Sequence, residues 1–140
     1  MIFIDSNIWC YYLDARLPEH GHVIEPLRDI IRDGEVAINT VVAMEVAHYL
    51  IRNLDQREAR DRIDSFINLS SMDIVDFDKA MMTIALYYIM KFGKKEGPGG
   101  RDSTIIATVD RLKIETLLTH DKNLAAIAEK LGIKTLDPIS

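Results

Sequence analysis

The chain has 140 residues, a net charge of -5 and 48% hydrophobic residues, which suits one domain with its own core and excludes a disordered chain. Its longest stretch without a charged residue, 80–90, is far shorter than the roughly 20 residues of a membrane-spanning helix. The start lacks a basic segment and Cys10 is the only cysteine, so neither a signal peptide nor a disulfide framework is expected. We therefore expect one cytoplasmic domain over residues 1–140, and the acidic charge argues against a sequence-tolerant nucleic-acid coat without excluding a nuclease.

Short apolar runs alternate along the chain with longer segments of helical period. Strands are predicted at 2–4, 35–38, 73–75, 116–119 and 134–136. Apolar helix faces are predicted within 59–67, 77–88, 105–112 and 124–131, with Gly132 as a C-terminal cap. A further helix is expected to start near Pro26, and the glycine-rich segment 93–100 is predicted to be an internal loop. This alternation favours an α/β fold with a mostly parallel sheet.

Four carboxylates stand where the predicted strands end. Asp5 directly follows the first strand, and Asp121 lies two residues beyond the fourth. Glu45 lies a little over one turn into the helix after the second strand, counted from Thr40 as its N-cap, and Asp102 opens the helix after the glycine-rich loop. Because ligands of open α/β sheets bind beyond the carboxyl ends of the strands, these four acids are expected to converge there.

Helix capping is the alternative explanation for three of these acids. Aspartate is a favoured N-cap, and Asp5, Asp102 and Asp121 each stand at a predicted helix start. Glu45 is too deep in its helix to cap it, and a carboxylate among apolar neighbours needs a partner. Converging carboxylates repel one another and recruit a cation. Oxygen ligands favour Mg²⁺ or Mn²⁺, which can activate water for a phosphoryl displacement.

Four segments resemble the PIN domain nucleases, and most closely the VapC-type toxins of prokaryotic toxin–antitoxin pairs. They are IFIDSN at 2–7, TVVAMEV at 40–46, RDSTIIA at 101–107 and LTHD at 118–121. The resemblance implies a three-layer α/β/α sandwich with a five-stranded, mostly parallel sheet. It implies that Asp5, Glu45, Asp102 and Asp121 are catalytic and bind Mg²⁺ or Mn²⁺, supported by Thr119, Ser6 and Asn7. It also implies an RNA substrate, an antitoxin protein as partner and a homodimer.

Basic residues precede the third acid. Lys94, Lys95 and Arg101 lie in or beside the glycine-rich segment, where they form either a solvated loop or a clamp for RNA phosphates. A zinc site at His20 and His22 lacks the further ligands that tetrahedral coordination requires. An aspartate-dependent phosphatase of the haloacid dehalogenase type would need a second Asp at position 7, which is Asn, and the acids do not fit a receiver domain either.

Three functions stay open at this point. The first is a metal-dependent ribonuclease that acts as the toxin of a toxin–antitoxin pair. The second is a standalone RNA-processing nuclease, and the third is a non-catalytic PIN-like scaffold that binds proteins. An intact set of four acids argues against the scaffold, which does not need clustered carboxylates.

Overall fold

The computed structural model describes residues 1–139, with a parallel sheet of five strands at its centre. The strands are β1 (Ile2–Ile4), β2 (Val36–Asn39), β3 (Met72–Val75), β4 (Thr116–Leu118) and β5 (Lys134–Leu136). The helices are α1 (Ser6–Leu13), α2 (His20–Asp33), α3 (Thr40–Asn53), α4 (Gln56–Ile67), α5 (Lys79–Glu96), α6 (Gly100–Arg111) and α7 (Lys122–Lys130). All strand pairs are parallel, in the order β3-β2-β1-β4-β5, so the predicted α/β class is confirmed.

Helices cover both faces of this sheet. The chain crosses the sheet in one direction from β1 through β2 to β3, and then in the other direction from β3 to β4 and β5. Because crossovers between parallel strands are right-handed, α1 to α4 lie on one face and α5 to α7 on the other. The contacts agree, since α1 packs on α2 and α3, α3 packs on α4, and α5 packs on α6. The result is the three-layer sandwich that the sequence resemblance implies.

The strands and the inner helix faces form one apolar core. Phe3, Ile4, Ile38 and Leu117 of the central strands are fully buried or nearly so. Trp9 of α1 is also buried, with its ring centroid 4.9 Å from that of Phe66 in α4. Within residues 1–139, no helix is both long and apolar enough to span a membrane.

Helix α2 differs from the prediction at Pro26. We expected a helix that starts near this proline, but α2 begins at His20 and contains Pro26 beyond its first turn. Val23 and Leu27, one turn apart, are both fully buried. Their packing therefore holds the first turns together, although Pro26 cannot donate the backbone hydrogen bond of a helix interior.

The predicted loop at 93–100 is partly helical. Helix α5 is interrupted at Gly93, which has φ 77° and ψ -176°, but helical structure then continues to Glu96. A left-handed φ costs glycine little, so the helix changes direction there. The connection to α6 is thus shorter than predicted: the break at Gly97 leads through the buried Pro98 to Gly99, the N-cap residue of α6.

Candidate active site

The site lies between β1 and β4, which are neighbours in the sheet at the point where the order of the strands changes direction. At such a switch point the following helices diverge to opposite faces and leave a crevice beyond the strand ends. Asp5 leaves β1 there, and its N–H donates to the carbonyl of Leu118 at 2.9 Å. Thr119 leaves β4 beside it, and its hydroxyl donates to Asp5 Oδ2 at 2.7 Å. Asp5 and Thr119, predicted to lie at one edge, are therefore in direct contact.

Asn39 positions the other two elements of the site. Its Oδ1 accepts from the N–H of Val42 at 2.8 Å and so caps α3, the helix that carries Glu45. Its Nδ2 donates to Thr108 Oγ1 at 3.0 Å and to the carbonyl of Thr104 at 3.2 Å, both in α6. This buried amide fixes the start of α3 against α6, the helix that carries Asp102. The N-cap of α3 is thus Asn39, one residue before the predicted Thr40.

The guanidinium of Arg101 joins three of the predicted acids. Its Nε donates to Glu45 Oε2 at 2.8 Å, and its Nη1 donates to Asp102 Oδ1 at 2.6 Å. Its Nη2 donates to Asp5 Oδ1 and also to Ser6 Oγ, the latter at 2.8 Å. From its position beside Lys94 and Lys95, Arg101 is predicted to lie in a solvated loop or to contact RNA phosphates. In the structure it instead bonds the acids.

Burial and charge act together on these groups. Asp5 is fully buried, whereas the side chains of Asp102 and Glu45 keep 18% and 34% of their exposure. Burial, and then the nearby charge of Asp121, raise the pKa of Asp102. Asp121 is thus within electrostatic range of Asp102, although it does not bond Arg101 in the structure.

Burial also excludes Cys10 as a nucleophile. This thiol lies in α1 near the acids, and burial, followed by the charges of Glu45 and Asp5, raises its pKa to about 12. A thiol with that pKa stays protonated near neutral pH, whereas the reactive form is the thiolate.

Capping explains some of the aspartates but not all. Asp121 Oδ1 accepts from the N–H groups of Asn123 at 2.9 Å and Leu124 at 3.1 Å, so it caps α7. Asp5 is the N-cap residue of α1. Asp102 lies inside α6, whose N-cap residue is Gly99, so capping does not account for Asp102. The capping bonds use only Oδ1 of Asp121, so its Oδ2 can accept another partner.

The predicted supporting residues take different roles. Thr119 links two of the acids, because its hydroxyl donates to Asp5 and accepts from the N–H of Asp121 at 3.0 Å. Ser6 bonds Arg101, as described above. Asn7 Oδ1 accepts from the N–H of Ile8 at 2.7 Å, a bond within α1. Lys94 and Lys95 are exposed near the end of α5.

The acids offer the oxygen donors that Mg²⁺ and Mn²⁺ prefer. Glu45 Oε1 is buried without a hydrogen-bond partner, which leaves an acceptor oxygen available for a cation. As arranged in residues 1–139, however, no three His, Cys, Asp or Glu side chains form a group that could hold a metal ion. The guanidinium of Arg101 takes one oxygen of each of Asp5, Glu45 and Asp102. In this arrangement the guanidinium, and not a metal ion, is the cation that these carboxylates contact.

Two depressions flank the acids. An open groove of about 540 Å³ lies on the side of Glu45 and is lined by Thr40, Val41, Met44, His48 and Phe77. A second depression, of about 350 Å³, lies on the side of Asp121. There His120 Nδ1 is 2.8 Å from Asp137 Oδ2. The acid cluster thus has an open surface on two sides, as an extended ligand would require.

Comparisons with known proteins agree with this architecture. The family model of the PIN domain matches residues 2–130. VapC20 of Mycobacterium tuberculosis, described as a toxin that cleaves the sarcin-ricin loop, has a TM-score of 0.74 and 17% identity over 90% of this chain and 94% of that one. VapBC2 of Rickettsia felis, bound to a fragment of promoter DNA, has a TM-score of 0.73 and 18% identity over 98% of each chain. FitAcB of Neisseria gonorrhoeae has a TM-score of 0.69 and 20% identity over 99% of this chain and 98% of that one.

No curated protein matches the sequence significantly. The structural similarities, at 20% identity or below, concern the fold. The family model is a match at the level of sequence and covers most of the chain. Together with the parallel sheet and the acids at its switch point, it shows that the chain belongs to the PIN domain family.

Proposed function

We propose that this protein is a metal-dependent endoribonuclease that hydrolyses RNA phosphodiester bonds. The observation that carries the proposal is the convergence of Asp5, Glu45 and Asp102, from three separate elements, on one cationic group at the switch point of a PIN domain sheet. Arg101 supplies one positive charge against three carboxylates, so the cluster keeps a net negative charge that a bound metal ion would neutralise.

Mg²⁺ or Mn²⁺ is the ion that these carboxylates would hold. Asp5 would be the central ligand, with Glu45 and Asp102 beside it, and Asp121 would bind a second ion or orient its waters. A bound divalent ion lowers the pKa of a water molecule and stabilises the charge that develops on phosphoryl oxygens. Thr119 would keep Asp5 in position through its bond to Oδ2. Asp102 must lose its proton to act as a ligand, and burial makes that loss harder.

RNA would approach along the open surface on both sides of the acids. The groove beside Glu45 and the depression beside Asp121 could each receive nucleotides that flank the scissile phosphate. Lys94 and Lys95, exposed on α5, would contribute phosphate contacts that do not depend on base sequence.

The biological role that we propose is that of a cytoplasmic toxin with an antitoxin protein as its partner. Support comes from the neighbours: VapC20 is described as a toxin, and the VapBC and FitAB structures are complexes. Copurification with the product of an adjacent short gene would test this role. Absence of such a gene would favour a standalone RNA-processing nuclease.

A homodimer is the assembly that we propose. Helix α5 exposes an apolar stripe whose members lie one turn apart or side by side: Met82, Leu86, Tyr87 and Met90, with 45%, 49%, 57% and 81% exposure. A contiguous apolar patch on a helix typically marks a protein contact. A second copy of the chain is the occupant that the family resemblance implies.

The experiment that tests the activity compares metal, chelator and an acid variant. Purified protein is incubated with RNA in Mn²⁺, in Mg²⁺ and in excess EDTA, and Glu45→Gln, purified in parallel, controls for contaminating ribonucleases. We expect cleavage that requires metal and is lost in Glu45→Gln. Cleavage that persists in EDTA would refute the metal mechanism. Absence of cleavage on all RNA classes, with no Mn²⁺ binding, would favour the protein-binding scaffold.

A further inference from the structure

Arg101 makes more hydrogen bonds within the protein than a partly exposed side chain needs. Each of its three guanidinium nitrogens donates to a different carboxylate, and Nη2 also donates to Ser6. The side chain as a whole keeps 31% of its exposure, so Arg101 is only partly buried. A planar guanidinium suits such multiple bonding better than any other side chain.

The oxygens that bond Arg101 belong to three of the acids that would hold a divalent ion. They are Asp5 Oδ1, Glu45 Oε2 and Asp102 Oδ1. Both oxygens of Asp5 are engaged, because Oδ1 also accepts from the N–H of Ser6 at 2.7 Å and Oδ2 accepts from Thr119. A cation of charge +2 and a guanidinium of charge +1 cannot share these oxygens without strong repulsion.

We propose that Arg101 is a built-in competitor for the metal: its guanidinium neutralises the acids in the metal-free protein and must leave them before the ion binds. The inference rests on the proposed metal site. The exchange has two consequences. Arg101 prevents the three acids from destabilising the metal-free fold, and it sets the metal concentration at which the site fills.

The competition makes a quantitative prediction for the variant Arg101→Met. Even at the dielectric constant of water, charges of +1 and +2 about 5 Å apart repel enough to change a binding constant about tenfold. Removal of the guanidinium should therefore tighten Mn²⁺ binding by about tenfold or more. The same variant should melt roughly 5 °C or more below the wild type without metal, because three carboxylates lose their partner. Saturating Mn²⁺ should remove that difference.

The measurement is titration calorimetry with Mn²⁺, together with melting temperatures without metal and at saturation. Arg101→Lys keeps a charge that bonds fewer oxygens, so its affinity should lie between those of the wild type and Arg101→Met. Arg32→Met is the matched control, because Arg32 is also paired with two carboxylates, Asp29 and Asp33, but they lie on the exposed side of α2. Its Mn²⁺ affinity should equal that of the wild type.

The outcomes separate this inference from the proposed function. If the wild type binds Mn²⁺ and Arg101→Met binds it with equal or lower affinity, the competition is refuted while the metal site stands. If neither protein binds Mn²⁺, the metal site is refuted and the competition with it.

A second measurement uses the wild type alone and does not depend on the folding of a variant. Phenylglyoxal modifies accessible guanidinium groups, and mass spectrometry identifies which arginines have reacted. Arg101 should react slowly without metal and at least about tenfold faster in saturating Mn²⁺, as expected if the ion displaces it. Arg32 should react equally in both conditions. Equal protection of Arg101 with and without bound Mn²⁺ would refute the exchange.

Discussion

Replacement of Asp5 by asparagine separates a metal ligand from a helix cap. Asparagine caps helices about as well as aspartate does, so a purely capping role predicts a stable and active variant. In the structure, however, Asp5 Oδ1 accepts from the N–H of Ser6 and from Arg101, while Oδ2 accepts from Thr119. The amide oxygen must therefore replace Oδ1, which places the NH₂ group against the hydroxyl of Thr119.

The cost follows from this geometry. The Thr119 hydroxyl already accepts from the N–H of Asp121, and in Asp5→Asn its own hydrogen loses an acceptor. A hydrogen bond to a charged group contributes about 1.5–3 kcal/mol, and Arg101 also loses one of its carboxylates. We expect a loss of roughly 3 kcal/mol in the free energy of unfolding, or about 10 °C in Tm for a chain of this size. Repulsion among the acids alone would predict no loss, but Arg101 largely neutralises that repulsion.

The assay pairs melting curves without metal with RNA cleavage in Mn²⁺. We expect Asp5→Asn to melt lower, to gain little stability from Mn²⁺ and to cleave RNA at least about a hundredfold more slowly. Asp55→Asn is the matched control, because Asp55 caps α4 through the N–H of Glu58 at 2.9 Å and lies on the exposed surface. A variant at position 5 that melts within about 2 °C of the wild type and cleaves at the same rate would refute the reasoning.

Three further predictions concern other parts of the chain. Asp14 is buried, and its hydrogen bond with Arg16 lowers its pKa to about 2. The ionised carboxylate contributes roughly 1–2 kcal/mol to the free energy of unfolding, a modest amount because its partner Arg16 is exposed. This contribution is present above pH ~4 and is lost as the pH falls toward ~2. The free energy of unfolding in urea should therefore depend less on pH in that range for Asp14→Asn than for the wild type. Exchange of Lys94 and Lys95 for glutamine should reduce the logarithmic salt slope of RNA binding by about 1.4, if both contact phosphates. Met90→Glu on α5 should convert the proposed dimer into a monomer in sedimentation velocity.

Each of these predictions has a control elsewhere on the molecule. Asp29→Asn removes an exposed carboxylate of α2 and should leave the acid unfolding curve unchanged. Lys113 precedes β4 and Lys134 is the first residue of β5, so both lie at the amino ends of the strands, away from the acids, and their exchange for glutamine should leave the salt slope unchanged. Leu112→Glu places the same charge at an exposed site beyond the end of α6. The first prediction would be wrong if Asp14→Asn and the wild type showed the same dependence of stability on pH. The second would be wrong if exchange of Lys94 and Lys95 left the salt slope of RNA binding unchanged, and the third if Met90→Glu remained an oligomer.

The sequence predicts the sheet well because the strands are short apolar runs with clear ends. Strands β1 and β5 match their predicted bounds, β3 and β4 differ by one residue at one end, and β2 is displaced by one residue at both ends. Gly132 has the positive φ of 79° that its predicted capping role requires. Pro26 was predicted less well because the packing of Val23 and Leu27 overrode its local preference. The segment after Gly93 was predicted less well because this glycine breaks the helix for one residue only and exposed helical structure resumes behind it.

The role of Arg101 could not be predicted from its neighbours in the sequence. The orientation of its side chain is set by the carboxylates at positions 5, 45 and 102, which only the folded sheet brings together. One signal did exist, because Glu45 stands in an apolar helix and such an acid requires a partner. The cation directly before Asp102 was a candidate for that partner. The exposed lysines nearby suggested a phosphate clamp instead.

The acids are divided evenly by the connection between α5 and α6. Residues before Gly97 carry β1, β2 and β3 with Asp5 and Glu45, while residues after Gly99 carry β4 and β5 with Asp102 and Asp121. The two parts meet along the β1–β4 pair, so each would expose an unpaired strand edge when alone. A chain cut at this connection would therefore yield two fragments that each hold two of the four acids, and the four would come together only when the fragments associate. The connection thus offers a position for a split protein, in which the proposed RNA cleavage would report that two fused proteins have met.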